Sequence, residues 1–364
     1  MGASAWQGAT VGAPAEVSLR ASGRMDIRAS LNPSTDAAHG APEAGSPLTE
    51  RPARQMGCFP ETPIRAVQAI SSLRGGSQSK LILGEDQALW VVKFKNNPQH
   101  SRVLANEFLA SRMAELVGLS VPRTGMIQVS EWLIECSPQL VIQYGYRRWE
   151  RCASGLQFGS RFGAGVLHQQ AFDLLPGEWL RNVCNLSEFA PMLAFDRWTS
   201  NTDRRQAIFL RNAPEPDYRV LFIDQGSCFS GSQWEFQDAP LLGRCMDTRV
   251  YAAVTGWNSF EPWLTRMEEF DPELLWGLAQ AVPSEWHGAD QNRLELLVET
   301  LLARRHRLRE MIWQLRRSRQ SPFPNWRGGR LLNVQEQISD AAEPSLAVRD
   351  TAPGCLAEDM GKVC

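Results

Sequence analysis

The sequence predicts an α+β chain of two lobes, a small strand-rich N-lobe followed by a larger, mostly helical C-lobe. Three observations predict it. Short apolar runs separated by Gly-bearing and polar turns fill residues 64–129, interrupted by one amphipathic helical pattern. Two further strands joined by a Pro-bearing turn follow at 206–224. From there to residue 318 the pattern is helical and ends in a leucine stripe.

Residues 1–61 are rich in Ala, Gly, Ser and Pro, and are expected to be disordered because they carry too little apolar surface to offset ordering entropy. Order is expected over 62–318, with the N-lobe at about 62–145 and the C-lobe at about 146–318. Residues 319–364 are expected to form a second disordered tail, since Pro322, Pro324 and the Gly328-Gly329 pair break structure and no amphipathic pattern follows. Within the first lobe, 64–72 reads as a strand. Residues 74–80 form a Gly-bearing turn, 81–83 and 88–95 are strands, and 84–87 is the turn between them. Lys93 falls on an otherwise apolar strand face; alone, such a lysine reads as an edge residue whose amine reaches water. Residues 102–117 carry Ala105, Leu109, Met113 and Leu116 at helical spacing, widened by Phe108 and Val117, with Glu107 on the flank of the stripe. Thr124 to Val129 reads as another strand. The stretch 146–185, with Phe158-Gly159-Ser160-Arg161-Phe162, has no clear period.

In the second lobe a helix is expected at 187–199, with Ser187 as its cap and Pro191 in the first turn. A polar loop, Thr199 to Arg205, follows, and then strands at 206–211 and 218–224. The last helix is expected from about Asp290 with Leu294, Leu297, Leu301, Leu308, Ile312 and Leu315 on one stripe. Its arginines (Arg304, Arg305, Arg307, Arg309, Arg316, Arg317) form a solvated outer face.

Composition narrows the function. A formal net charge of -2 over 364 residues gives no support for a nucleic-acid binder. The 8 cysteines contain no C-x-x-C pair, which disfavours a zinc site and reads as reduced thiols. No apolar run reaches membrane-span length and no secretory signal is legible, so a cytoplasmic location is expected.

The chemistry lies in an ordered set of residues. Gly75 and Gly76 allow backbone to approach phosphates closely, with Ser77 beside them. Lys93 supplies a cation from the sheet, and Glu107 an anion to hold it. Asp203 suits orientation and late deprotonation of an acceptor hydroxyl, while Asp224, at a strand end, suits magnesium.

The segments R-G-G-S-Q-S-K (74–80), W-V-V-K-F (90–94), N-E-F-L-A (106–110), F-D-R-W-T-S-N-T-D-R-R-Q (195–206) and F-I-D-Q-G (222–226) resemble the HipA-like kinase family. The loop is also similar to that of type II phosphatidylinositol kinases. The resemblance implies a bilobal protein-kinase-like fold with ATP and Mg2+ between the lobes. It implies phosphate contacts from Gly75, Gly76, Ser77 and Lys93, pairing of Lys93 with Glu107, Asp203 as the catalytic aspartate, Asn201 shaping its loop, and Asp224 as metal ligand. HipA-like toxins act on a protein and the lipid kinases on inositol lipids; with no polybasic patch next to the site, a protein or small polar acceptor is expected, and for toxin members the resemblance implies an antitoxin-like partner. The chain departs from the family's D-R-H-x-x-N loop: Arg205 replaces the histidine and Ile208 the asparagine ligand. Gln206 offers a substitute oxygen. Three readings follow: an active ATP-dependent kinase, a nucleotide-binding pseudokinase acting as a switch or scaffold, and a purely structural or interaction protein.

Overall fold

The computed structural model describes residues 62–162, 169–212, 214–239 and 242–327. The disorder expected for 1–61 and for the tail beyond 327 lies outside the described residues.

The first strands are β1 (Ile64–Ser72), β2 (Lys80–Gly84) and β3 (Leu89–Lys93); then come helix α1 (Arg102–Val117), β4 (Thr124–Val129), α2 (Glu131–Cys136), the hairpin β5 (Val141–Tyr144) and β6 (Arg148–Arg151), and β7 (Gly155–Arg161). Strands β1-β2-β3-β7-β4 close into a barrel, with β1 and β4 parallel and the other pairs antiparallel. Trp90 is enclosed by that barrel, 1% exposed. Small residues make room for it: a Cβ on Gly84, Gly125 or Gly159 would sit 3.1, 3.4 or 3.2 Å from the indole. A side chain at these positions would overpack the interior.

β7 corrects the expected lobe boundary. The strand pairs with both β3 and β4, so residues 146–161 complete the first lobe rather than begin the second. Helix α1 matches the expected span, but its burial exceeds one stripe: Val103 to Ala114 are all buried. Its apolar residues join the core of the helical lobe, so the helix is gripped from both sides.

The second lobe contains β8 (Gln169–Phe172), α3 (Phe189–Trp198), β9 (Gln206–Asn212) and β10 (Arg219–Ile223), followed by α4 (Trp263–Glu268), α5 (Pro272–Gln280), α6 (Ser284–His287), α7 (Gln291–Arg305) and α8 (Leu308–Arg317). Strands β10-β9-β8 form a small antiparallel sheet. α3 begins two residues later than expected and Ser187 does not cap it, because a 3-10 turn at Leu186–Glu188 leads directly into it. Full burial of Phe195, Trp198 and Phe222 anchors the core, at about 1.5–3 kcal/mol for each large apolar side chain.

The leucine stripe runs over two helices, broken at His306-Arg307. Arg304 does not lie on a solvated face: it is 7% exposed and donates to the carbonyls of Arg197 and Trp198. The ordered region also continues beyond residue 318. Phe323 and Trp326 are buried and meet Tyr251, Phe260 and Trp257 edge to face or tilted. No helix of the described residues is long and apolar enough to cross a membrane.

Candidate active site between the barrel and the helical lobe

Lys93 is not an edge lysine. β3 is flanked by β2 and β7, and its last residue points its amine at two carboxylates. Nζ donates to Glu107 and, at 2.8 Å, to Asp224 Oδ1. Burial opposes the charge on Lys93, but Glu107 and Asp224 outweigh it and hold the ammonium well above the ordinary lysine range. Burial pushes the Glu107 carboxyl up, offset in part by Lys93. For Asp224 burial also disfavours charge, yet Lys93 prevails and brings the carboxyl down to about 2.

Both carboxylates are placed by the same contact. Glu107 Oε2 accepts from the Gln225 N–H at 3.0 Å, tying α1 to the residue after Asp224. One position earlier, the Asn106 amide donates to the carbonyls of Gly226, Cys228 and Gly231, and its oxygen accepts from the Trp234 indole. The segment after β10 is therefore tied to the helix that carries Glu107. Asp224 itself takes φ +62°, a left-handed conformation that an aspartate adopts more readily than most side chains. This conformation turns the chain away from β10 at the site.

The loop between α3 and β9 has its own frame. Asn201 is buried; its amide donates to Asp196 Oδ1 at 3.0 Å and its oxygen accepts from the Asp203 N–H at 3.1 Å. Thr202 N–H donates to the Ser227 carbonyl, and Phe229 and Ser230 donate to the carbonyls of Thr199 and Ser200. This loop and the segment after Asp224 are thus laced together through their backbones. Asp203 is exposed.

Gly75, Gly76 and Ser77 lie on the β1–β2 turn. Gly75 has φ +138°, open to glycine and strained for other residues. Ser77 Oγ meets Ser79 Oγ at 3.1 Å, and Gln78 closes the turn on the Gly75 carbonyl. Among the described residues no hydrogen bond joins these three to Lys93 or Asp224. The turn is fastened instead to the β5–β6 hairpin: the Gln78 side chain donates to the Gln143 carbonyl at 2.7 Å and accepts its N–H at 2.9 Å.

The structure therefore brings Lys93, Glu107, Asp224 and Gln206 into direct contact, the last through its amide donating to Asp224 Oδ2 at 3.0 Å. Asn201 and Asp203 form a second group on the adjoining loop. Sequence reasoning missed Asn106, Asp196 and the partners of Arg205. Asn106 stands beside Glu107 but its partners lie 120 to 128 residues along the chain, whereas Asp196 meets Asn201 and Arg205 only five and nine residues on.

Among the described residues no group of three or more His, Cys, Asp or Glu side chains is arranged to hold a metal ion by itself. The donors present still fit a hard divalent cation. Asp224 is a carboxylate whose side chain is 35% exposed, with the Gln206 amide beside it. Magnesium is commonly held by one or two carboxylates, with water and substrate phosphates completing its shell.

Solved structures similar to this chain include a Helicobacter pylori proinflammatory kinase, CtkA, at 12% identity, covering 67% of this chain and 99% of that one with a TM-score of 0.41. Hydra Fam20, solved with sugar, is similar at 10% identity over 71% of this chain and 87% of that one, TM-score 0.42. The Golgi casein kinase with Mn/ADP bound is similar at 12% identity over 71% of this chain and 74% of that one, TM-score 0.41. A comparison with curated proteins finds no match. The family model described as HipA-like kinase matches residues 67–313, from β1 into α8 and through every site residue named above, and the chain belongs to that family.

Proposed function

We propose that this chain transfers the terminal phosphate of ATP to a hydroxyl group of a protein or small polar acceptor, with Mg2+ as the metal. The observation that carries the reading is the Lys93–Glu107–Asp224 contact, which joins barrel, helix α1 and strand end at one point. Lys93 binds phosphate oxygens and Glu107 holds its amine in place. Asp224, with Gln206 beside it, holds the cation, which supplies charge neutralisation at the phosphates. Gly75, Gly76 and Ser77 cover the phosphates from the barrel side. Asp203, kept in its loop by Asn201, orients the acceptor hydroxyl. Its oxygen forms the new bond to phosphorus, its proton passes to the Asp203 carboxylate, and ADP departs. Positioning and electrostatics provide most of the acceleration in such transfers. The free cysteines of the described residues, Cys136, Cys152, Cys184, Cys228 and Cys245, fit a reducing, cytoplasmic setting.

The test is transfer of labelled γ-phosphate with Mg2+ or Mn2+, including self-modification. Asp203→Ala is expected to lose at least ~10² in turnover while keeping nucleotide binding. Unchanged turnover in that variant sinks the assignment of Asp203.

A second reading, a nucleotide-binding pseudokinase, is favoured by one feature. Ile208, half-buried on β9, carries no oxygen where the family's loop has an asparagine, and Gln206 presents an N–H to Asp224. Saturating nucleotide then stabilises the fold, by ~2.7 kcal/mol at a hundredfold excess over Kd, with neither transfer nor hydrolysis.

A further inference from the structure

We propose that Arg205 is a positioning residue, locking the Asp203 loop and the Asp224 strand end into one rigid unit through a buried, two-armed ion pair with Asp196. The side chains of Arg205 and Asp196 are 1% and 0% exposed. Arg205 Nε donates to Asp196 Oδ2 at 2.9 Å, and Nη2 donates to Oδ1. The remaining arm reaches the other way, where Nη1 donates to the Ile223 carbonyl at 2.9 Å and approaches the Asp224 carbonyl at 3.5 Å. Asp196 Oδ1 also accepts from Asn201, whose oxygen accepts the Asp203 N–H. An unbroken relay of hydrogen bonds thus runs from the end of β10 through Arg205, Asp196 and Asn201 to the backbone of Asp203. Arg205 touches neither carboxylate of the reaction.

The relay needs a guanidinium. Its planar fork satisfies both oxygens of Asp196 while another nitrogen faces a carbonyl on the opposite side. A lysine ammonium is a single point and cannot hold both directions in this geometry. The site is also sealed. A Cβ on Gly243 would lie 2.0 Å from Asp196 Cβ, so the chain there rests directly on the aspartate, and its N–H donates to the Asp203 carbonyl at 3.1 Å. A buried ion pair is a weak source of net stability, because desolvation offsets the attraction. Fixed geometry beside the reacting groups is what this one delivers.

The test removes both charges at once, with Asp196→Leu combined with Arg205→Met, and separately keeps the charge without the fork, with Arg205→Lys. Amide hydrogen exchange is followed in segments 199–205 and 222–228, with α7 as the internal reference. Both segments are expected to exchange ~10-fold faster or more in each variant, together, while α7 keeps wild-type protection. Phosphoryl transfer is expected to lose ~10- to 100-fold in kcat with KM for ATP within about threefold, the cost of a small misplacement. Wild-type exchange in both segments of a folded variant overturns the proposal. So does an equal rise in α7, which makes the pair a global stabiliser. If the paired variant does not fold, Arg205→Lys decides. The turnover prediction rests on the phosphotransfer reading, but the exchange measurement does not, so absence of transfer in the wild type overturns only that reading.

Discussion

The site contains two buried cations set among carboxylates, and they differ in what surrounds them. Lys93 lies at the lobe junction, and its partner Asp224 has a side chain 35% exposed. Arg205 lies behind the loop, and its partner Asp196 is completely buried. An ammonium is a compact charge with three rotatable donors, able to exchange one oxygen for another. A guanidinium with its directions all used has no such freedom. The open pair suits groups that must trade partners when phosphates arrive; the sealed pair suits groups that must not move.

The sharpest way to break this contrast is to remove one partner from each. Arg205→Met strands the Asp196 carboxylate in the interior and is expected to cost about 3–5 kcal/mol of folding stability, measured by urea unfolding. Asp224→Asn leaves Lys93 paired with Glu107 and Asp224 is partly open to solvent, so a smaller cost of about 1–2 kcal/mol is expected. It should nonetheless abolish metal-dependent nucleotide binding. Equal stability costs would remove the distinction between the two centres.

Acid titration probes the open centre next. The Asp224 carboxyl sits at about 2, below the ordinary aspartate value of 3.8, because Lys93 overcomes the effect of burial. A carboxylate depressed on folding stabilises the fold above its unfolded pKa and loses that contribution as pH falls through its folded one. Nucleotide-free protein is therefore expected to lose stability between about pH 4 and about pH 2, and Asp224→Asn should flatten that limb. Lys93, raised above 10.5, contributes fully below that value and loses its contribution only at more alkaline pH. An acid limb unchanged in Asp224→Asn would place the titration elsewhere.

How much of this was legible depends on how local each signal is. Helix α1 was readable because its spacing, Ala105 to Met113, is a property of neighbouring residues, and the matched span is 102–117. Lys93, Glu107 and Asp224 were readable from their order and element ends, although each alone resembled a surface charge. Strand β7 was not, because Gly159 answers to Trp90 and Ile127 across the barrel, leaving no alternation to read. Arg304 resembled its solvated neighbours because its partners, the carbonyls at the end of α3, are distant in sequence. Arg205 stood out as a departure from the family's loop, but its meaning needed Asp196 and Ile223 brought to it by the fold.

Gln206 is the smallest of the expected effects and the most discriminating about the open centre. Its amide nitrogen donates to Asp224 Oδ2 at 3.0 Å, so it steadies the carboxylate before any cation binds. A metal would instead require its oxygen, a half-turn of the amide. Gln206→Ala removes both roles and is expected to weaken Mn2+-dependent nucleotide affinity ~3- to 10-fold, with stability changed by under ~0.5 kcal/mol at this exposed position. Gln206→Glu separates the roles by sign. As a ligand, the new carboxylate adds charge and oxygen to the cation and tightens Mn2+-dependent binding. As a former donor, it repels Asp224 and weakens that binding, and by lifting the folded Asp224 carboxyl back toward its unfolded value it shortens the acid limb of stability. Calorimetric Mn2+–ADP titration of Gln206→Glu therefore decides whether the amide is part of the metal site or only a support for Asp224.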